Sequence, residues 1–131
     1  MEKKELRRIP DAELDIMLVL WKRERPMKII EIFEDMQQIR PCTKTTIHSL
    51  LERLCDAGFV KIDFSEDRRA YKIITPLVSE EEYRAAESEN FVNRLCRGRW
   101  QTLMASLMDS GAIGEEDLAE IEAILKHKKG D

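Results

Sequence analysis

Hydrophobic residues recur through the first half of the chain at the spacing of helices that each turn one face toward a core. This spacing predicts three helices, over about residues 11–22, over about residues 27–38, and from Thr43 to shortly before Gly58. A proline separates each helix from the next, and the residue before a proline avoids the helical region. The three helices are therefore short, distinct and amphipathic.

The pattern becomes that of strands after the third helix. Residues 59–64 alternate imperfectly between apolar and polar side chains, residues 65–68 read as a charged turn, and residues 70–74 read as a return strand that ends before Pro76. Two strands alone are marginally stable, so this hairpin must pack on the helices. The predicted fold class is mainly α, a winged helix–turn–helix with a two-stranded β wing.

After Pro76 the chain is predicted to be helical to its end. Ser79 and Glu82 have the spacing of a capping box, which begins a long helix. Two further helices are predicted over about residues 99–108 and about residues 115–128. These helices have no sheet beside them to cover their apolar residues.

A second copy of the chain is the simplest partner for such helices. We therefore predict a winged-helix domain at residues 1–76 and a helical dimerisation domain at residues 77–131. An intramolecular bundle against the first domain is the alternative. The predicted dimer interface consists of Phe91, Leu95, Trp100, Leu103, Met104, Leu107, Leu118, Ile121 and Leu125.

The third helix carries the chemistry that indicates nucleic acid. Its outer face is rich in hydroxyl groups and cations, which can bind phosphate or base edges. In a winged helix–turn–helix such a helix enters the DNA major groove, and the hairpin lies beside it along the backbone. The predicted DNA-binding residues are Thr43, Lys44, Thr45, Thr46, His48, Ser49 and Arg53 in the helix, and Arg68 and Arg69 in the wing.

Alternatives remain for these residues, because a polar helix face is often simply solvated. Arg53 could instead pair with a carboxylate, and Arg68 and Arg69 could be ordinary turn charges. Three neighbouring features together favour the DNA-binding interpretation: the preceding helix, the hairpin, and Gly58, the glycine stop that ends the third helix.

The charge of the chain supports this interpretation only locally. The net charge is −4, but residues 1–76 hold 15 Lys and Arg against 14 Asp and Glu, whereas residues 77–131 hold 7 against 12. Salt screens charges beyond about 8 Å. The charge of the near-neutral first domain, and not that of the whole chain, therefore determines how that domain interacts with phosphates. A winged-helix protein-interaction module without DNA binding is the alternative that the overall acidity favours.

The sequence predicts no catalytic residues, no metal site and no cofactor. The three cysteines, Cys42, Cys55 and Cys96, are widely spaced and odd in number, which fits neither a zinc finger nor a disulfide framework. Cys55 is expected to be a small core residue. No nucleophile motif or glycine-rich phosphate loop is visible, so the protein is not predicted to be an enzyme. No apolar run approaches the roughly 20 residues of a membrane helix, and we expect a cytoplasmic protein without a membrane partner.

Several segments, in order along nearly the whole chain, resemble the penicillinase-repressor family, often called BlaI/MecI/CopY. The segments are Ile9 to Met17 with Leu20-Trp21, Thr46-Ile47 with Leu50 to Leu54 and Gly58, Arg69 to Tyr71 before Thr75-Pro76, and Phe91 to Leu95 before Gly98.

The resemblance implies a homodimeric transcriptional repressor that binds a two-fold-symmetric operator in double-stranded DNA. By position, the family's groove-facing residues correspond to Thr45, Thr46 and His48, with Arg53 further along the helix. Some members are released by a regulatory protease that cuts an Asn-Phe bond, but this bond falls at Ser106-Leu107 here, so that specificity does not carry over. The cysteine-rich motif of the copper-responsive branch is absent, so the resemblance does not imply copper sensing.

Overall fold

The computed structural model describes residues 6–66 and 71–129. The chain divides into two compact units, and the division falls between Glu87 and Ser88. The elements of the first unit, in order, are α1 (Asp11–Arg23), β1 (Met27–Lys28), α2 (Ile29–Met36), α3 (Lys44–Asp56), β2 (Val60–Phe64), β3 (Lys72–Pro76) and the start of α4 (Glu80–Leu95).

The core of the first unit lies between the three helices and the sheet. Helix α1 contacts α2, α3 and β3, and all of these elements contribute fully buried apolar side chains. The largest fully buried side chains of the first unit are Phe59, Ile16, Met17, Leu20, Met27, Ile32, Met36, Ile47, Leu51, Leu54 and Ile74. The predicted mainly helical winged fold is therefore confirmed.

The sheet has three strands in the order β1-β3-β2, one more than we predicted. Met27 pairs with Ile74 and Lys28 with Ile73, so the two residues expected to begin the second helix form a strand instead. The backbone of Lys28 is extended, and α2 begins only at Ile29. A strand of two residues is too short to show an alternating pattern, which is why the sequence did not reveal it.

The glycine stop after α3 has the predicted form. Gly58 has a φ of 82°, the left-handed conformation that glycine adopts without strain. Its N–H donates to the carbonyl of Cys55 at 3.0 Å, and the N–H of Phe59 donates to the carbonyl of Leu54 at 2.9 Å. This is a Schellman motif, and the burial of both Phe59 and Leu54 supplies its hydrophobic contact.

One core prediction is wrong, because Cys55 is exposed on α3. The buried positions of α3 are 47, 50, 51 and 54, which leaves the residue after Leu54 on the solvent side. Cysteine is apolar enough to suggest burial from composition, but helical geometry decides its position.

The first unit continues past the predicted boundary at Pro76. Val78 and Tyr83 belong to its buried core, and the indole N–H of Trp21 donates to the carbonyl of Val78 at 2.9 Å. The predicted capping box is present: Glu82 N–H donates to the Ser79 hydroxyl at 3.0 Å, and Ser79 N–H donates to the Glu82 carboxylate at 3.2 Å. The functional division of the chain at residue 76 stays a prediction.

The second unit is helical throughout its described part. After the end of α4 come α5 (Trp100–Asp109), a single 3-10 turn (Glu115–Asp117) and α6 (Leu118–Lys129). Left-handed backbone at Arg97 and Gly98 separates α4 from α5. Across the described residues, we find no helix that combines the length and apolar character needed to cross a bilayer.

Candidate nucleic-acid interface

Helix α3 begins with a hydroxyl cap. Thr43 has extended backbone, and its side-chain oxygen accepts a hydrogen bond from the N–H of Thr46 at 3.1 Å. The Thr43 hydroxyl in turn donates to the Thr46 hydroxyl at 3.0 Å. The cap satisfies one of the free N–H groups at the helix start and holds two hydroxyls side by side on the surface.

The two faces of α3 differ sharply in burial. The buried side chains of α3 are apolar and lie in the core, and the most accessible of them, Leu50, is 8% exposed. The structure places Thr43, Lys44, Thr45, Thr46, Ser49 and Arg53 on the surface, and His48 is half-buried. Arg53 forms no ion pair with any described residue, so its pairing with a carboxylate is not seen.

Two lysines of the first unit rest on aromatic rings, Lys44 at the start of α3 and Lys28 in β1. Lys44 Nζ lies 5.5 Å from the centre of the Phe33 ring in α2, and Lys28 Nζ lies 4.7 Å from the centre of the Tyr71 ring. A ring face attracts a cation without neutralising it. The Lys44 ammonium at the start of α3 therefore remains available to an external anion, whereas Lys28 lies on the sheet face opposite the buried Met27 and Ile74.

The hairpin reaches α3 through a third lysine. Lys72 Nζ lies 3.4 Å from Nδ1 of His48, and both side chains are half-buried. In the register of the hairpin Lys72 pairs with Phe64, which is 66% exposed. Arg68 and Arg69, the predicted wing contacts, lie outside the described residues.

Other cations of the first unit are neutralised away from α3. The closest contacts are 2.9 Å between Arg23 and Asp35, 2.7 Å between Arg25 and Glu31, and 2.8 Å between Arg40 and Asp15. The Arg25 guanidinium, helped by the Lys28 N–H, lowers the pKa of the Glu31 carboxyl to about 2. These three pairs join α1, α2 and the segments that follow them, so their arginines contribute little positive charge to the surface around α3.

The second half of α3 carries the opposite charge. Glu52 and Asp56 are both exposed and lie on the side of the helix opposite its buried residues. A phosphate backbone would repel these carboxylates at short range. The N-terminal half of α3 is therefore the part suited to a polyanion.

Sequence reasoning missed Lys72 as part of this surface. Lys72 is separated by one residue from the buried Ile74, so the period of two in a strand puts both on the face toward α3. That signal was present in the sequence.

The predicted dimer residues all lie in the second unit. The half-buried members are Phe91, Leu103, Met104, Leu107 and Ile121, and the exposed members are Leu95, Trp100, Leu118 and Leu125. The exposed fractions of the latter four are between 57% and 65%. Exposed apolar side chains also occur in the first unit, among them Ile39 and Leu77, so the dimer interface stays a prediction.

Comparison with known proteins identifies the family of this chain. The family model described as Penicillinase repressor matches residues 9–127. The penicillinase repressor of Bacillus licheniformis is 25% identical over 126 residues, which cover 96% of this chain and 95% of the relative. The methicillin resistance regulatory protein MecI of Mammaliicoccus sciuri is 27% identical over 120 residues, which cover 92% and 94% respectively.

Solved structures give the same picture for the fold. The DNA-binding domain of the repressor BlaI is 29% identical with a TM-score of 0.50, and the match covers 63% of this chain and 94% of that domain. A mutant MarR from E. coli has a TM-score of 0.50 at 16% identity, with 91% of this chain and 76% of that chain covered, which shows likeness of fold alone. Since the family model spans most of the sequence, this chain belongs to the penicillinase repressor family.

Proposed function

We propose that this protein is a sequence-specific DNA-binding transcriptional repressor that acts as a homodimer on an inverted-repeat operator. The observation that carries the proposal is the construction of α3, which is sealed to the core on one side and presents hydroxyls, a lysine and a histidine on the other. Relatives that match nearly the full length are named as a penicillinase repressor and as a methicillin resistance regulatory protein. Repression would occur by occupation of a promoter, without chemistry.

Different side chains of α3 are suited to different parts of the duplex. Thr43, Lys44 and Ser49, together with the free N–H groups of the helix start, are suited to phosphate oxygens. Thr46 and His48 would face base edges in the major groove. Arg53 would meet the backbone further along, and the hairpin would lie beside the groove.

The second unit supports the homodimer. Leu95, Trp100, Leu118 and Leu125 leave large apolar areas in water, and burying them against a second copy would be favourable. A two-fold-symmetric dimer requires an inverted repeat with half-sites one or more helical turns apart. We expect such a repressor in the cytoplasm. A regulatory protease that released it would need a different cleavage site, because Ser106-Leu107 stands here in place of the Asn-Phe bond of some family members.

Selection of bound DNA from a random pool tests the proposal directly. The wild-type protein should enrich an inverted repeat. In gel-shift titrations Lys44→Met should weaken binding to all sequences and reduce the salt slope by about one, whereas Thr46→Val should change base preference. Lys22→Met, at an exposed lysine of α1, is the matched control.

The same titrations separate the proposal from its rival. A protein that enriches no sequence and binds DNA without salt dependence would be a protein-interaction module that reuses the winged fold. Equal effects of Lys44→Met and Lys22→Met would contradict the assignment of α3 to the groove.

A further inference from the structure

We propose that Lys72 is a positioning residue that determines which base edge His48 reads. This inference rests on the proposed function, because it concerns how α3 selects a sequence. Lys72 belongs to the hairpin and His48 to α3, so the contact between them joins the two DNA-facing elements.

The register of the hairpin explains why Lys72 can reach α3. Ile62 pairs with the fully buried Ile74, and Phe64 pairs with Lys72, so these four side chains share the face toward the core. The inner part of that face is apolar and packed. Its outer part extends beyond the core, where Lys72 meets His48 and Phe64 remains exposed.

The chemistry of the contact fixes the direction of the hydrogen bond. An ammonium group has donors and no acceptor, so Lys72 donates and Nδ1 of His48 accepts. An imidazole nitrogen that accepts carries no proton, and the single ring proton is then on Nε2. In its neutral form, His48 is thereby held as the tautomer that presents a donor at Nε2.

A donor at this position selects among bases. In the major groove, guanine offers the acceptors N7 and O6, whereas cytosine offers a donor at the corresponding edge. His48 with its proton on Nε2 would favour the acceptor edge. Without Lys72 the ring could exchange its proton between the two nitrogens or turn over, and the preference would be lost.

Nitrogen NMR of the DNA-free protein tests the tautomer without reference to DNA. Spectra of ¹⁵N-labelled protein at about pH 8, where histidines in general are neutral, distinguish protonated from unprotonated ring nitrogens. His127→Gln assigns the signals, since the chain has two histidines. Wild-type protein should show a single tautomer at His48, and Lys72→Met should shift both ring nitrogens toward an average of the two tautomers.

Selection from a random pool tests the consequence for DNA. Lys72→Met should lower discrimination at one position of each half-site by about tenfold, the equivalent of one contact of ~1.4 kcal/mol. Lys72→Arg should retain the wild-type preference, because a guanidinium also donates. Lys61→Met is the matched control, since this substitution removes the same charge from the opposite face of the same hairpin.

The outcomes distinguish the two proposals. Ring-nitrogen signals unchanged in Lys72→Met, or a uniform loss of affinity with the base preference intact, would overturn the role of Lys72 and leave the repressor function standing. A wild-type protein that enriches no sequence would overturn the repressor function and the reading role together. A loss of preference in Lys72→Met that Lys72→Arg restores would support both.

Discussion

The backbone N–H of Ile9 donates a 3.0 Å hydrogen bond to the hydroxyl oxygen of Tyr83, across 74 residues of sequence. Tyr83 is 6% exposed, and its ring lies 5.6 Å from that of Phe59 in an edge-to-face arrangement. Burial raises the pKa of the Tyr83 hydroxyl above its ordinary value. This hydrogen bond therefore links the first turns of α4 to the segment that precedes α1.

We expect Tyr83→Phe to lower the free energy of unfolding by about 1–2 kcal/mol, because it leaves the buried Ile9 N–H without an acceptor. Urea unfolding followed by circular dichroism measures the change. Tyr71→Phe is the control, since the Tyr71 hydroxyl has no hydrogen-bond partner among the described residues, and its loss should stay below about 0.5 kcal/mol. Equal losses in the two variants would show that the Ile9 hydrogen bond contributes nothing specific.

Glu31 should make stability depend on pH in the acid range. The Arg25 guanidinium and the Lys28 N–H lower its pKa from 4.5 to about 2 in the folded protein. Because the folded value is depressed, the stabilisation is complete above about pH 4.5 and is lost as the pH falls toward 2. The pair is partly exposed, so screening limits its effect to about 1 kcal/mol.

Glu31→Gln removes this charge while keeping an oxygen that can accept from Lys28. Its free energy of unfolding at pH 7 should be about 1 kcal/mol below wild type, and the difference should shrink as the pH falls below 4.5. Urea titrations at a series of pH values measure it. Glu34→Gln, at an exposed carboxylate of the same helix, should differ little from wild type at any pH. A constant deficit for Glu31→Gln would mean that the ion pair does not cause it.

The carboxylate of Glu52 should weaken DNA binding. It is exposed on the outer side of α3, one turn beyond His48, where no described cation pairs with it. Glu52→Gln should raise operator affinity by about threefold in gel-shift titrations at low salt, because one repulsion against phosphate is removed. Glu34→Gln in α2 should leave affinity unchanged. Reduced affinity in Glu52→Gln would place Glu52 in a favourable contact, such as acceptance from a cytosine amine, and contradict its repulsion by phosphate.

The sequence predicted the elements that follow a clear period and missed those that depend on distant partners. The spacing of Ile47, Leu50, Leu51 and Leu54 was enough to define α3 and its outer face, because a helix determines its own geometry. The strand at Met27 exists only because β3 lies beside it. The intrinsic strand preference of two residues gives no information about a distant partner strand.

The same limit applies to the candidate site. Polar residues of α3 could be placed on the surface from periodicity alone, but the contact of His48 with the hairpin depends on the register of two strands. A one-residue shift of that register would turn Lys72 to the other face. The register is fixed by burial of Ile74 against α1 and α2, which only the three-dimensional fold displays.

The proposed homodimer leads to a prediction that separates an interface from a merely apolar surface. Leu125 on α6 is 63% exposed in the single chain, and Ile39, after α2, is 54% exposed. A substitution to glutamate at an exposed site should change folding stability by no more than about 0.5 kcal/mol, so Leu125→Glu and Ile39→Glu should melt alike at low concentration.

If Leu125 is buried against a second copy, its glutamate variant must bring an unpaired charge into that interface, at a cost of several kcal/mol. Sedimentation velocity at micromolar concentration should then show dimers for the wild type and Ile39→Glu and monomers for Leu125→Glu. A dimeric Leu125→Glu would exclude Leu125 from the interface, and a monomeric wild type would remove the basis for an inverted-repeat operator.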